Sequence, residues 1–343
     1  MLRPWGFGPK DAKAIQQAQL NEEYSFSGQP YYSTMPDKDD LFTPRTCKNI
    51  KVAARENQRI IMRNPGPHGL GFMVCTDCGA AMPGDNSKVL DGINRPYLTP
   101  TAKRCSHPNT QHIDLGYDFI TDMLVLEFTL DPNVVMSSHK TPWLDRAATS
   151  LAEGLRLVAS KELDIEFTEL VTGYRLRMGE KASYIDVYLY DSLSSGAGYA
   201  VRLTEDIELL LDKLDEYLDE CTCDSSCHNC LQHYRNQYLH GQLDRIAALD
   251  LLRWGRNGIV KSEIPLKEQQ RLFSSLEKVL QASGFSIDYT DNAIVLQKGN
   301  LSKNLIIYPG MLKEPLDHSS IYICDTYVRY AKPHAFQIIV ENF

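Results

Sequence analysis

The stretch Cys221-Thr-Cys223-Asp-Ser-Ser-Cys227-His-Asn-Cys230 puts four thiols within ten residues and restricts the fold more tightly than any other feature of the chain. A closed structural zinc site takes four soft ligands in a tetrahedron, and two closely spaced pairs on short turns can wrap one ion. Cys227-x-x-Cys230 has the usual knuckle spacing, and Cys221-x-Cys223 is tighter by one residue. Disulfides are the alternative, but neighbouring thiols strain such bridges, and the rest of the chain has the character of a protein from a reducing compartment. Nothing else in the sequence looks redox-active, which favours zinc over an iron–sulfur cluster. His228, inside the loop, reads as a surface residue or a support for the ligands rather than as a fifth ligand.

The flanks carry a family resemblance. Upstream stands Asp191-Ser-Leu-Ser-Ser-Gly-Ala-Gly-Tyr199, and downstream Leu231-Gln-His-Tyr-Arg-Asn236, then His240-Gly-Gln-Leu-Asp-Arg245 with Ala247, Ala248 and Leu249. Together with the cysteine run, these resemble the MrfA-type zinc-binding (MZB) domain. That domain forms the C-terminal region of superfamily-two DNA helicases and occurs in related DISARM-like defence proteins. The resemblance runs from about Gly71 to about Gly255 and is specific at the cysteines and their two flanks. It implies that Cys221, Cys223, Cys227 and Cys230 bind zinc, since the family's ligands have the same gaps of one, three and two residues. It also implies that the Asp191–Tyr199 stretch ends a sheet strand and precedes the helix that carries the cluster.

A second half-site is visible in Phe72-Met-Val-Cys75-Thr-Asp-Cys78-Gly79, a strand running into a zinc-ribbon knuckle. The glycine after the second cysteine relieves the backbone of a tight turn. Cys105 should complete the site with either His107 or His112. His107 is favoured because Cys105-x-His107 can approach from one turn, although His112, beside a strand, could serve equally, and either histidine could instead be a solvated surface residue. Seven of the nine cysteines thus fall in two clusters, which fits metal binding better than a secreted disulfide scaffold. Cys324, in an apolar strand, reads as a buried core thiol.

Taken in order, residues 1–46 are rich in Pro, Gly, Tyr and Asp without periodicity. They read as an extended docking arm whose Trp5, Phe7, Tyr31 and Tyr32 supply apolar contacts, the alternative being a disordered tail. Residues 47–115 hold a predicted hairpin, Ile50–Ala54 against Arg59–Met62, then a chain break at Asn64–Gly71 and the zinc-ribbon-like segment. The basic residues Arg45, Lys48, Lys51, Arg55, Arg59 and Arg63 read as gatekeepers of a solvated edge ahead of phosphate contacts. Residues 116–260 form the MZB-type domain. A half-buried strand alternates over Met123–Leu130, and Thr141-Pro142 opens a helix to about Glu162. Strands follow at Asp164–Leu170, Tyr174–Met178 and Ile185–Tyr190. A helix from Thr204 to Leu218 leads to the cysteines, and further helices are expected at Leu231–Leu239 and at Leu243–Trp254, stopping before Gly255. Residues 261–343 read as a small α/β lobe with a helix at Ser274–Gly284 and strands at Ile294–Gln297, Leu305–Tyr308, Ile321–Cys324 and Phe336–Val340. The expected class is therefore α+β: a zinc-ribbon-like segment, a mixed sheet with covering helices, a four-cysteine cluster between helices, and the C-terminal lobe.

Net charge of −8 and a pI near 5.6 argue against a generally basic nucleic-acid binder. No apolar run reaches membrane-span length and no signal-peptide core opens the sequence, so a cytoplasmic protein without a membrane partner is expected. The sequence contains no Gly-x-x-x-x-Gly-Lys-Ser/Thr, so ATP hydrolysis by a helicase motor is not expected of it. It reads as the portion downstream of a helicase core, made as its own polypeptide. Ser194, Ser195, Gly196 and Gly198 are small enough to let the backbone approach another backbone or a phosphate closely, and they lack the Gly-x-Ser-x-Gly elbow of a serine nucleophile. The competing class is a metal-dependent nuclease using Asp164, Glu166, Glu169 or Asp186. The favoured function is a non-catalytic, zinc-binding accessory subunit of a helicase or translocase, active in DNA repair or antiviral defence. Its expected partner is a separately encoded helicase or ATPase subunit, with DNA bound weakly or through the complex.

Overall fold

The computed structural model describes residues 41–64, 70–92, 98–135, 142–178, 182–315, 317 and 319–343. Most of the N-terminal arm, the centre of the 64–71 break and Thr141, the expected helix cap, lie outside them. The described chain divides into two compact units. One contains Arg55–Asp122 and Leu193–Ala197, and the other contains residues 41–54, Met123–Ser192 and Gly198–Phe343.

The architecture is α+β. Strands β1 (Ile50–Asn64), β5 (Leu115–Leu130), β6 (Leu170–Met178) and β7 (Ser183–Asp191) form a sheet in the order β1-β5-β7-β6. Antiparallel pairing of β5 with β7 sets Leu124 opposite Leu189, Leu126 opposite Val187 and Phe128 opposite Ile185. These alternating residues face one way, because side chains repeat every second residue along a strand. Helix α1 (Pro142–Leu163) presents Leu144, Ala147, Ala148, Leu151, Leu155 and Val158 to the same core, at helical spacing.

The opposite face of this sheet buries charge. Register places Glu127 directly across from Asp186, an arrangement that repels unless a cation intervenes. Arg177 intervenes, with Nη2 2.5 Å from Glu127 Oε2 and Nε 2.6 Å from Asp186 Oδ2, while Arg175 Nη2 lies 2.7 Å from the same Asp186 oxygen.

Helices α2 (Tyr199–Arg202), α3 (Ile207–Glu220) and α4 (Arg245–Asn257) complete the main core. Asp191, fully buried at the end of β7, accepts the N–H groups of Tyr199 and Ala200 and so fixes the start of α2. Asp244 caps α4 by accepting from Ile246 and Ala247. Residues 261–343 have their own apolar cluster, built from α5 (Leu266–Ala282), β8 (Ser286–Tyr289), β9 (Ile294–Lys298), β10 (Leu301–Tyr308), β11 (Ile321–Cys324), α6 (Asp325–Tyr330) and α7 (Lys332–Glu341). Their sheet is mixed, since β10 runs parallel to β11 and antiparallel to β9. Among the described residues, no helix is long and apolar enough to cross a membrane.

Several local expectations are corrected. The predicted hairpin is one continuous strand, β1: Arg55-Glu-Asn-Gln58 does not reverse the chain. Asn57 alone takes a positive φ of 53°, with its N–H donated to Asp122. The strand predicted at Asp164–Leu170 begins only at Leu170, as the start of β6, because Asp164 (φ 52°) ends α1 and Phe167–Glu169 forms a 3-10 turn. The helix before the cysteines starts at Ile207, not Thr204, and the predicted helix at Leu231–Leu239 is a 3-10 segment from Tyr234. Phe336–Val340 is helical within α7, where a proline in the first turn and inward-facing Ala335 and Ile339 decide between two periods that a short apolar run leaves open.

Helix α4 also runs through Gly255 and ends at Gly258, whose φ of 66° suits a helix stop. Gly255 serves a different need: a Cβ there would stand 2.5 Å from a Phe128 ring carbon and 2.6 Å from an Ile50 side-chain carbon. Gly255→Ala is therefore expected to destabilise the protein by about 1–3 kcal/mol, overpacking exceeding the gain in helix propensity. Urea unfolding followed by circular dichroism checks this.

Candidate metal centres

Helix α3 carries an apolar stripe of Ile207, Leu210, Leu211, Leu214 and Leu218 into the core, and its last turn delivers Cys221 in extended conformation. The chain then doubles back. Cys227 N–H donates to Cys230 Sγ at 3.2 Å, and Gln232 N–H donates to Cys227 O. Sulfur separations are 3.6 Å for Cys221–Cys227, 3.7 Å for Cys223–Cys230 and 3.9 Å for Cys227–Cys230. An ion with Zn–S bonds of about 2.3 Å requires tetrahedral S···S edges of about 3.8 Å. The four sulfurs therefore have the size of a zinc site, and all four are free thiols.

Neighbouring groups hold this loop. Tyr217 donates its hydroxyl to Cys230 O at 2.6 Å. Arg245, buried at the start of α4, donates to Cys223 O and Leu218 O, and its N–H reaches Ser225 O. Burial pushes the Cys230 thiol up to about 12, whereas the Cys223 backbone N–H draws Cys221 down to about 7. A bound cation is what would make four adjacent thiolates tolerable.

The loop beyond the cysteines rests on α1. Buried Glu153 accepts from Asn236 Nδ2 at 3.0 Å and lies 3.3 Å from His233 Nε2. His233 and Asn236 form a reciprocal cap, Arg235 N–H to His233 Nδ1 and His233 N–H to Asn236 Oδ1. Burial lowers the His233 pKa against the opposing pull of Glu153. The roles of Tyr217, Arg245 and Glu153 were not readable from sequence, since each acts through contacts with residues far along the chain.

The second group lies in the other unit. Strands β2 (Phe72–Cys75), β3 (Ala81–Pro83) and β4 (Thr110–Ile113) form an antiparallel sheet in the order β3-β2-β4. The knuckle turns with Gly79 at φ 74°. Cys75 and Cys105 sulfurs are 3.7 Å apart, and Cys78 Sγ lies 3.4 Å from His107 Nδ1, close to the edge of about 3.6 Å that mixed sulfur and imidazole ligands require. Thr76 N–H to Asn109 O and Asn109 Nδ2 to the Asp77 carboxylate hold the two turns together. Burial pushes Cys78 up to about 11. At Cys75 burial acts the same way, but hydrogen bonds from His107 and from backbone N–H groups outweigh it and bring the thiol down to about 7. His112 stands apart from this group, its Nε2 2.7 Å from Leu70 O.

In each group the four candidate ligand atoms lie within 4.8 Å of one another. The small residues are placed otherwise. Ser194 is exposed, Ser195 N–H goes to Ile120 O, and Gly196 N–H goes to Leu193 O. A Cβ on Gly196 would come 2.1 Å from the Asp122 carboxylate, so the close approach made there is to an anionic side chain. Gly198 begins α2 with φ 80°. Of the carboxylates considered for nuclease chemistry, Asp186 is held by two arginines, and Asp164, Glu166 and Glu169 belong to neither ligand group.

The fold and ligand sets define a protein with closed, zinc-type centres. Residues 151–231, which include all four cysteines of the 221–230 loop, match the family model of the MrfA Zn-binding domain. In an alignment 339 positions long that covers 94% of this chain, it is 30% identical to Druantia protein DruE of Escherichia coli (strain UMEA 4076-1), and it spans 18% of that relative's length. Two solved structures of DUF1998 helicase MrfA, one bound to DNA and one to DNA and AMPPNP, align over 62% of this chain. They do so at 11% identity with TM-scores of 0.37 and 0.30, and the alignments cover 24% and 22% of those chains.

Proposed function

We propose that this chain is a non-catalytic, zinc-stabilised module that works with a helicase or translocase motor on DNA, in DNA repair or in defence against foreign DNA. The observation that carries it is the tetrahedral spacing of the four sulfurs within the residues that match the MrfA Zn-binding domain. Four protein ligands leave no open coordination position, so zinc would order the ends of α3 and α4 and would not activate water. Cys221, Cys223, Cys227 and Cys230 would hold one ion, and Cys75, Cys78, Cys105 and His107 another.

The similarity to DruE, a much longer protein, and to the MrfA Zn-binding family supports a motor as the partner. Residues 1–46 are the proposed docking arm, their aromatic side chains supplying apolar contact. Coexpression with the helicase subunit of the same locus, followed by size-exclusion chromatography, should give a stable complex that is lost on deletion of residues 1–46. Failure of the undeleted chain to form any complex would refute the partnership.

A further inference from the structure

We infer that the 3-10 segment following the zinc loop is a stacking platform for single-stranded nucleic acid, with Tyr234 and Tyr238 as the base-contacting rings. Tyr234 is 84% exposed and Tyr238 70% exposed, well beyond the intermediate burial usual for tyrosine. Their backbone is nonetheless firmly held. Asn236, which lies between them and is buried, donates to Leu231 O at 2.9 Å and to Glu153 at 3.0 Å, and its Oδ1 accepts from His233 N–H. His240 Nε2 adds a contact to Asn236 Oδ1 at 3.0 Å. Exposed rings on a fixed backbone lose little conformational freedom on binding.

The chemistry around the rings favours nucleic acid over protein. In a chain of net charge −8, no acidic residue occurs between Asp224 and Asp244, whereas His228, His233, Arg235 and His240 do. Glu153, the carboxylate beneath the segment, is only 4% exposed. The aliphatic residues of the stretch are directed inward, Leu231 and Leu243 into the core and Leu239 against it. An apolar docking face would show those leucines. The surface shows aromatic rings, amides and a guanidinium instead, the combination that binds single strands by stacking and phosphate contact. Beneath the segment, the mostly buried Arg156 is paired with Glu153 and stacks its guanidinium 3.6 Å from the centre of the Phe167 ring, which meets the His233 ring edge-on at 4.3 Å, so these contacts brace the segment. The inference rests on the proposed DNA-directed role for its choice of ligand, but it concerns this chain's own surface.

The test is fluorescence anisotropy of the zinc-loaded full chain with a labelled oligothymidine at low salt. Wild type should bind with strong salt dependence, and Tyr234→Ala with Tyr238→Ala should weaken binding about tenfold or more. Tyr→Trp at both positions should preserve it, with zinc content and melting temperature unchanged in every variant. Undiminished binding by the double alanine variant, or no binding by wild type, would overturn the inference. So would loss of a copurifying protein with oligonucleotide affinity intact, which would make the surface a protein interface. Chromatography with the motor subunit reads the partnership separately, so failure of one proposal is distinguishable from failure of the other.

Discussion

Cys227→Ser or Cys230→Ser is expected to lower the melting temperature by about 10 °C or more and to cut soluble yield, because each removes a ligand from a closed site. Binding free energy at a structural zinc site is folding free energy, about 10–16 kcal/mol in small zinc domains, so even partial loss exceeds an ordinary core substitution. The damage should not stay local. Arg245 joins the loop to α4 through Cys223 O and Leu218 O, and Asp224, between two ligands, is gripped by Arg271 and Arg329 of the C-terminal segment. Hydrogen exchange should therefore rise at the end of α3, the start of α4 and in α6 together. Cys324→Ser, at a buried strand position that belongs to neither ligand group, should cost far less. Equal melting temperatures for all three variants would rule out a structural metal at the 221–230 loop.

Asp186→Ala is expected to destabilise the protein by about 2–4 kcal/mol, the range for breaking a buried pair after allowing for the partial exposure of both arginines. The substitution removes the buried carboxylate to which both Arg175 and Arg177 donate and leaves Arg177 with Glu127. Chemical denaturation measures it. Were Asp186 instead a nuclease ligand, the variant would keep its stability and lose metal-dependent cleavage.

Both candidate ligand groups were legible because metal-binding spacing is local: a knuckle is written in two cysteines and a glycine, whatever the rest of the chain does. The choice of His107 over His112 used the same locality, and the structure puts His107 beside Cys78 while His112 faces Leu70 O. Strand and helix were legible where the pattern was long, as in Leu124–Leu130 and in α1. They were not where a few polar or apolar residues had to decide. Arg55–Gln58 resembles a turn but continues a strand, and Phe336–Val340 resembles a strand but lies in a helix. Gly255 reads as a helix stop because sequence does not reveal that Phe128 and Ile50 press against it. The supports of the first centre were hidden for the same reason. Glu153 lies eighty residues before His233, and only tertiary packing brings them together.

Metal content of the folded chain, purified without added chelator and measured by inductively coupled plasma mass spectrometry, tests the central claim most directly. Two zinc ions per chain are expected, falling to one in Cys227→Ser and to one in Cys75→Ser wherever the variant remains soluble. A folded, monodisperse wild-type chain containing no zinc would contradict it.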